Sequence, residues 1–298
     1  MRLDLYLAQK YPEVSRATFQ KLISSDQIKI NGVLAKSSRQ DVDENSNIEV
    51  NFDSLQPKSF IKENADFAKN IIYEDENVVA INKPAGILTH SKGEINDEFT
   101  VADFVRSRLK DPKSFADSNR PGIVHRLDRA TSGVLIAAKN PETQKFLQKQ
   151  FADRKAKKTY LALAEKTPKV SAARIDLPIG RNPKSPSEFR IDAKGKTAVT
   201  DYKILETFTD NSALVELRPQ TGRTHQLRVH LAHIGAPIIG DAVYGKAKIK
   251  DGQIPRMFLH AAELEITIPH EGENQRRTFV ANLPGDFQQE IEKRENET

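Results

Sequence analysis

Apolar residues in this chain recur at two periods, and the change from one to the other marks its elements. Phe19, Leu22 and Ile23 are spaced three and four positions apart behind Ser15. A serine hydroxyl caps a helix N-terminus well, so a helix is predicted over Arg16 to Ser24. Ile28-Lys29-Ile30 and Val33-Leu34 flank Asn31-Gly32, a dipeptide that accepts the positive φ angles of a tight hairpin. A strand over Asn47 to Phe52 closes this unit. Downstream, Ile71-Ile72-Tyr73 and Val78-Val79-Ala80-Ile81-Asn82 read as strands around a turn at Glu74–Asn77. Lys83-Pro84-Ala85-Gly86 then breaks the chain sharply. Val134-Leu135-Ile136-Ala137-Ala138 is an unbroken apolar run and reads as a buried strand. Pro141 to Lys149 starts as a helix, with Asn140 as its cap and Pro141 at its first position. Thr159 to Ala164 and Ser212 to Arg218 are further strands.

Strands outnumber helices without a regular strand–helix alternation. That pattern argues for an α+β fold and against a doubly wound parallel sheet. A length of 298 residues suits two domains. The reading is a small α+β domain over residues 1–55, a polar linker containing one proline over 56–69, and a larger domain over 70–290. The charged C-terminal stretch from Glu290 to Thr298 is expected to fray.

Composition narrows the chemistry. Hydrophobic residues make up 38% and charged residues 29% of the chain, which fits a soluble protein with an ordinary core. The chain has no cysteine, so disulfides, iron–sulfur clusters and thiolate zinc sites are excluded. The N-terminal segment is not a signal peptide, and no window reaches the apolar length of a membrane span. A cytoplasmic protein is expected. The formal net charge of +5 suits a nucleic-acid partner without requiring one. Charge is also segregated within the first domain. Residues 2–39 hold seven basic side chains (Arg2, Lys10, Arg16, Lys21, Lys29, Lys36, Arg39) and three acids (Asp4, Glu13, Asp26), and further acids follow. Such a face could grip phosphates, or be a solvated helix surface.

The densest chemistry lies in His125-Arg126-Leu127-Asp128-Arg129-Ala130-Thr131-Ser132-Gly133. One carboxylate stands among two arginines and a histidine and leads straight into the buried strand. Nearby cations favour its ionised form and burial opposes it. From these residues alone, a structural ion pair and a catalytic carboxylate are both open. A second stretch runs from Arg218 to His230 (Arg-Pro-Gln-Thr-Gly-Arg-Thr-His-Gln-Leu-Arg-Val-His). A helix starting after Gly222 would put Arg223, Gln226 and His230 on one face and Arg228 on another, a set suited to an anion or carboxylate. His225, His230 and His233 lack metal-ligand spacing and no acid is interleaved, so no metal site is expected. The basic run Arg154-Lys155-Ala156-Lys157-Lys158 suits a phosphate backbone or a solvated loop.

Two resemblances follow from these residues. Ser15-Arg16 at a helix start, then Ile28-Lys29-Ile30-Asn31-Gly32, is similar to the ribosomal S-four-type RNA-binding domain. That likeness makes Arg16, Lys21, Lys29 and Lys36 the expected RNA contacts. Asn82-Lys83-Pro84-Ala85-Gly86, Val124-His125-Arg126-Leu127-Asp128 with Thr131-Ser132-Gly133, Lys158-Thr159-Tyr160, Thr221 to His230, and Gly240-Asp241-Ala242-Val243-Tyr244-Gly245 together resemble the RNA pseudouridine synthases of the ribosomal large-subunit type D-like family. The motifs run in family order from about 70 to 285.

This resemblance implies a catalytic domain with a mixed, largely antiparallel sheet. It implies an isomerase that converts uridine in RNA to its C-glycoside. Asp128 would be the nucleophile and Arg228 its partner, with Tyr160 packed on the base. Arg126 would hold the flipped nucleotide, with His125, Arg223, Gln226 and Thr131 around it. The reaction is redox-neutral, so no cofactor and no metal is expected. The partner is RNA, ribosomal RNA ahead of transfer RNA, and the enzyme is expected to be a monomer. Two other readings stand beside it: a non-catalytic RNA-binding or ribosome-assembly protein on the same fold, and a hydrolase with paired carboxylates. The motifs supply no second catalytic acid for the latter.

Overall fold

The computed structural model describes residues 1–12, 14–43, 45–52, 61–91, 98–117, 120–246 and 256–296. The chain divides into two compact units, Met1–Ile61 with His90–Phe99, and Lys62–Thr89 with Thr100–Thr298. Residues 56–60 of the expected linker lie outside the described residues, as do Glu13 and Glu44.

The first unit opens with α1 (Leu3–Lys10), a helix that apolar spacing does not announce because Leu5 and Tyr6 blur the face carrying Leu3 and Leu7. Helix α2 (Arg16–Ser24) has the predicted bounds, and Ser15 Oγ accepts the Thr18 N–H at 3.2 Å. Strands β1 (Ile28–Ile30) and β2 (Val33–Leu34) form the hairpin, with Asn31 and Gly32 at φ of +51° and +79°. The closing strand β3 (Ile48–Val50) is shorter than expected. Leu3, Leu7, Phe19, Leu22, Ile23 and Ile28 share one core, each buried side chain contributing about 1.5–3 kcal/mol.

The second unit begins in α3 (Ile61–Phe67) and a 3-10 turn at Ala68–Asn70. The linker reading is therefore corrected over 61–69, where polar composition concealed a helix. Strands β4 (Ile71–Glu74) and β5 (Val78–Lys83) follow, joined by the predicted turn. Asp75 holds that turn by accepting the N–H groups of Asn77 and Val78 at 2.8 and 2.7 Å. Then come α4 (Val101–Arg106), β6 (Ser132–Ala138), α5 (Pro141–Ala152), β7 (Lys157–Ala164), β8 (Ala172–Asp176), β9 (Ile179–Arg181), β10 (Phe189–Ile191), β11 (Val199–Thr207) and β12 (Ala213–Pro219). The chain continues through α6 (Gln226–His233), β13 (Leu259–His270), β14 (Glu273–Val280) and α7 (Gly285–Asn296).

Nine strands make one sheet in the order β4-β5-β6-β13-β7-β12-β11-β8, with β14 added to β13. Every pairing is antiparallel except that of β6 with β13. The fold is thus α+β with a mixed, largely antiparallel sheet. All seven residues of β6 are buried, as its apolar run required. At its start Gly133 (φ +115°) lies so close to β13 that a Cβ would meet the Ala261 carbonyl oxygen at 2.2 Å. A side chain is sterically excluded there, which explains the glycine of the Thr131-Ser132-Gly133 motif.

Two further expectations are corrected. The C-terminal stretch does not fray from Glu290: α7 continues to Asn296, anchored by buried Phe287 and by Arg294, which donates to Ser212 Oγ at 3.2 Å. The helix expected after Gly222 begins at Gln226, so Arg223 sits in the preceding turn and donates from Nε to the Thr197 carbonyl at 3.0 Å. Among the described residues no helix is long and apolar enough to cross a membrane.

Candidate active site

The loop before β6 carries Asp128 and is fixed on several sides. Thr89 Oγ1 donates to the Leu127 carbonyl at 2.8 Å and accepts the Leu127 N–H at 3.1 Å. The Thr131 N–H donates to the Asp128 carbonyl at 3.1 Å. Lys83, wholly buried at the end of β5, donates to the carbonyls of Pro84, Ile87 and Arg129 at 2.8, 2.9 and 3.3 Å. Burial pulls the Lys83 ammonium down to about 7, against the opposing pull of Asp128. The three carbonyls engage all three of its protons and tie the break after β5 to the Asp128 loop.

This loop, β7 and the turn into α6 enclose a cavity of about 460 Å³. Asp128, Tyr160, Arg228, Arg126, His125, Arg223, Gln226 and Thr131 all line it, although they come from three separated stretches of sequence. That volume suits a nucleotide-sized ligand. Asp128 is 19% exposed, and its Oδ2 lies 3.5 Å from Arg228 Nη1 and 3.9 Å from His225 Nε2. The Tyr160 hydroxyl makes no hydrogen bond to the described residues. Burial, then the Asp128 charge, push its pKa above the ordinary 10 and keep it a phenol. Lys158 is pulled down to about 8 by burial, and Arg126 stands exposed at the rim.

Gln226 has its whole amide already engaged, and His125 has one ring nitrogen engaged. Gln226 accepts the Thr221 hydroxyl at 2.7 Å and the Arg223 N–H at 3.0 Å. It donates to the Val199 carbonyl at 2.9 Å and Thr200 Oγ1 at 3.0 Å. Its amide is spent on holding the turn into α6, which corrects the expectation that it offers hydrogen bonds to substrate. His125 Nε2 accepts the Ile136 N–H at 3.1 Å, and its ring stacks on Phe151 at 4.6 Å. Burial, and then Lys158, lower it to about 3, so it is neutral and fastens the loop to β6. His230 is likewise structural: Nε2 meets the Leu177 carbonyl at 3.0 Å and Nδ1 meets Thr200 Oγ1 at 2.9 Å.

The decisive partner of Arg228 is Asp241. Arg228 donates from Nε to Asp241 Oδ2 at 2.7 Å and from Nη2 to Oδ1 at 2.8 Å. Burial would raise the Asp241 pKa, but these bonds and the N–H groups of Val243 and Tyr244 hold it below the usual carboxylate range. A second acid therefore does stand near Asp128, contrary to the motif count. It is fully buried, bound to Arg228, and does not line the cavity. The Gly240-Asp241 motif was the available signal, but nothing in it shows which cation the acid meets.

With this geometry in place, comparisons with known proteins are decisive. The sequence profile of the family described as RNA pseudouridylate synthase matches residues 77–233, and that of the S4 domain matches residues 1–48. The chain belongs to the RNA pseudouridylate synthase family. It is 34% identical to an uncharacterized RNA pseudouridine synthase of Synechocystis over 97% of this chain and 87% of that one. It is 36% identical to the ribosomal large subunit pseudouridine synthase D of Borreliella burgdorferi, over 96% and 87% of the two chains. The solved human RNA pseudouridylate synthase domain containing 4 is similar at a TM-score of 0.61 and 28% identity, covering 78% of this chain and 96% of that one. This pseudouridine synthase is thus an isomerase acting on RNA, with an S4 domain at its N-terminus.

The first unit shows how its basic side chains are deployed. Lys21, Lys29 and Lys36 are exposed. Arg16 is not fully available: with Arg2 and Gln20 it binds the buried Asp4, its Nε at 3.0 Å. Burial raises the Asp4 pKa, but those hydrogen bonds outweigh it and hold the carboxyl at about 2.

Proposed function

We propose that this enzyme isomerises particular uridines of large-subunit ribosomal RNA, with Asp128 as the nucleophile. The observation that carries the reading is the Asp128 carboxylate in the cavity, 3.5 Å from an arginine that Asp241 has already oriented. Relatives named ribosomal large subunit pseudouridine synthase D, from Borreliella burgdorferi and Haemophilus ducreyi, favour that RNA as substrate.

A carboxylate is a weak nucleophile in water. Partial burial strips its hydration, while Arg228 keeps it aimed. The target base leaves its stack to enter the cavity, with Tyr160 against its face and Arg126 at the flipped nucleotide. The bond from N1 to the sugar C1′ breaks and one from C5 to C1′ forms. The C5 proton leaves to solvent and N1 gains one. Phosphates outside the cavity meet Lys21, Lys29, Lys36 and the remaining face of Arg16. The enzyme works as a cytoplasmic monomer.

The test uses ribosomal and transfer RNA transcripts tritiated at uridine C5, with tritium release to water as the readout. Wild type is expected to release tritium from ribosomal RNA, and Asp128→Asn to be slower by more than about 10³-fold. Release confined to transfer RNA would change the substrate class. An Asp128→Asn enzyme of wild-type rate would remove the nucleophile assignment.

A further inference from the structure

Tyr244, just after the Asp241 pair, does not line the cavity but contacts both groups that face Asp128. Its ring lies 5.0 Å from the Arg228 guanidinium. Its hydroxyl receives the Phe189 N–H at 2.8 Å and meets His225 Nδ1 at 2.8 Å. A phenol has one proton to give. The Phe189 N–H can only donate, so the phenol proton is available to His225 Nδ1. Nδ1 is then an acceptor, and the neutral ring carries its proton on Nε2. Burial lowers the His225 pKa, outweighing the pull of Asp128 and Asp241 and acting with the nearby charges of Arg228 and Arg126, which agrees with a neutral ring.

Nε2 faces Asp128 Oδ2, the same oxygen that Arg228 Nη1 approaches. Oδ1 has no hydrogen bond to the described residues. His225 itself sits at φ +57°, a left-handed conformation that an L-residue other than glycine rarely adopts. Strain of this kind gathers where a side chain must be aimed.

We propose that Tyr244 is a positioning residue that fixes His225 as its Nε2–H tautomer, so that His225 and Arg228 both hold Asp128 Oδ2 and Oδ1 is the attacking oxygen. This rests on Asp128 being the nucleophile. Both contacts to Oδ2 are long, as catalytic hydrogen bonds are before substrate closes on them.

Tyr244→Phe is the informative variant, because it keeps the ring near Arg228 and removes only the hydroxyl. NMR of the full-length protein labelled with ¹⁵N-histidine reads the tautomer, with the His225→Gln spectrum assigning the signals. Wild type is expected to show a protonated Nε2 and a bare Nδ1 at His225, and Tyr244→Phe to move the proton toward Nδ1. The kcat for tritium release should fall about 10- to 100-fold in Tyr244→Phe, with KM for RNA unchanged. His225→Gln, which removes the ring that Tyr244 fixes, should lower kcat at least as far as Tyr244→Phe does. In that background Tyr244→Phe should have no further effect, whereas a merely structural Tyr244 would cost the same again. A wild-type His225 protonated on Nδ1, or a Tyr244→Phe enzyme with wild-type kcat, overturns the proposal and leaves the nucleophile standing. An active Asp128→Asn enzyme overturns both.

Discussion

Arg228 gives two of its nitrogens to Asp241 and keeps one for Asp128. Nε and Nη2 are bound at 2.7 and 2.8 Å, while Nη1 stands 3.5 Å from Oδ2 of Asp128. A fork of this geometry fixes the guanidinium plane, so the remaining N–H direction is set before any RNA arrives.

Asp241→Ala should therefore do more than remove a contact. Arg228 would be left as an uncompensated buried charge, at a cost of about 3–5 kcal/mol. Urea denaturation of the variant measures that loss. Asp241→Asn keeps the shape, should fold with a smaller loss, and should still lower kcat about tenfold, since the guanidinium is no longer aimed.

Lys158 should give stability a pH signature. Burial lowers its folded-state pKa to about 8, below the ordinary 10.5 of the unfolded chain. Between those values the unfolded state holds a proton that the native state has lost. Its contribution to stability therefore rises with pH across that window, and its burial cost is fully felt below pH 8. Chemical denaturation from about pH 7.5 to 10.5 should show part of that rise disappear in Lys158→Met.

The basic side chains of the first unit should separate by function. Lys21→Ala, Lys29→Ala and Lys36→Ala should each weaken RNA binding and reduce the salt slope by about one. Arg16→Ala should also destabilise the fold, because buried Asp4 loses a partner. The Asp4 carboxyl titrates lower when folded than unfolded, so its stabilisation is present above about pH 4 and is lost as pH falls toward 2. Salt-dependent RNA binding and an acid unfolding curve distinguish these outcomes.

Gly133→Ala should disrupt the junction of β6 with β13. The added Cβ would meet the Ala261 backbone oxygen and nitrogen at 2.2 and 2.5 Å, and φ of +115° is itself unfavourable for alanine. A loss of about 2–5 kcal/mol is expected from overpacking and backbone strain together. The urea midpoint of the variant measures it, and tritium release should fall with it because the Asp128 loop enters β6 at this point.

Much of this architecture could be read from local chemistry. The Ser15 cap, the Asn31-Gly32 turn, the Asn140-Pro141 helix start and the buried run of β6 each obey a rule satisfied within a few residues. Where several rules competed, reading failed. Polar composition hid α3, and charge hid the length of α7, whose stability comes from Phe287 and Arg294 against distant partners. The start of α6 was missed because the turn before it is held by the Gln226 amide, bonded to β11 residues far back in the chain.

The sequence by itself determined which residues stand beside Asp128 in its own run, His125 to Ser132, because any fold keeps so short a run together. Only the tertiary structure decided what each does. Asp128 and Arg228 are 100 residues apart, one in the loop before β6 and the other on the helix after β12, and they meet only in the folded sheet, whose order is β6-β13-β7-β12. Hydrogen-bond valence then sorted the cavity wall. Gln226 is filled by two backbone groups and two threonine hydroxyls and His125 Nε2 by a backbone N–H, while Arg228 and His225 are held so that a donor remains directed at Asp128. Pairing of that kind depends on distances of a few tenths of an ångström between remote segments, which no local pattern encodes.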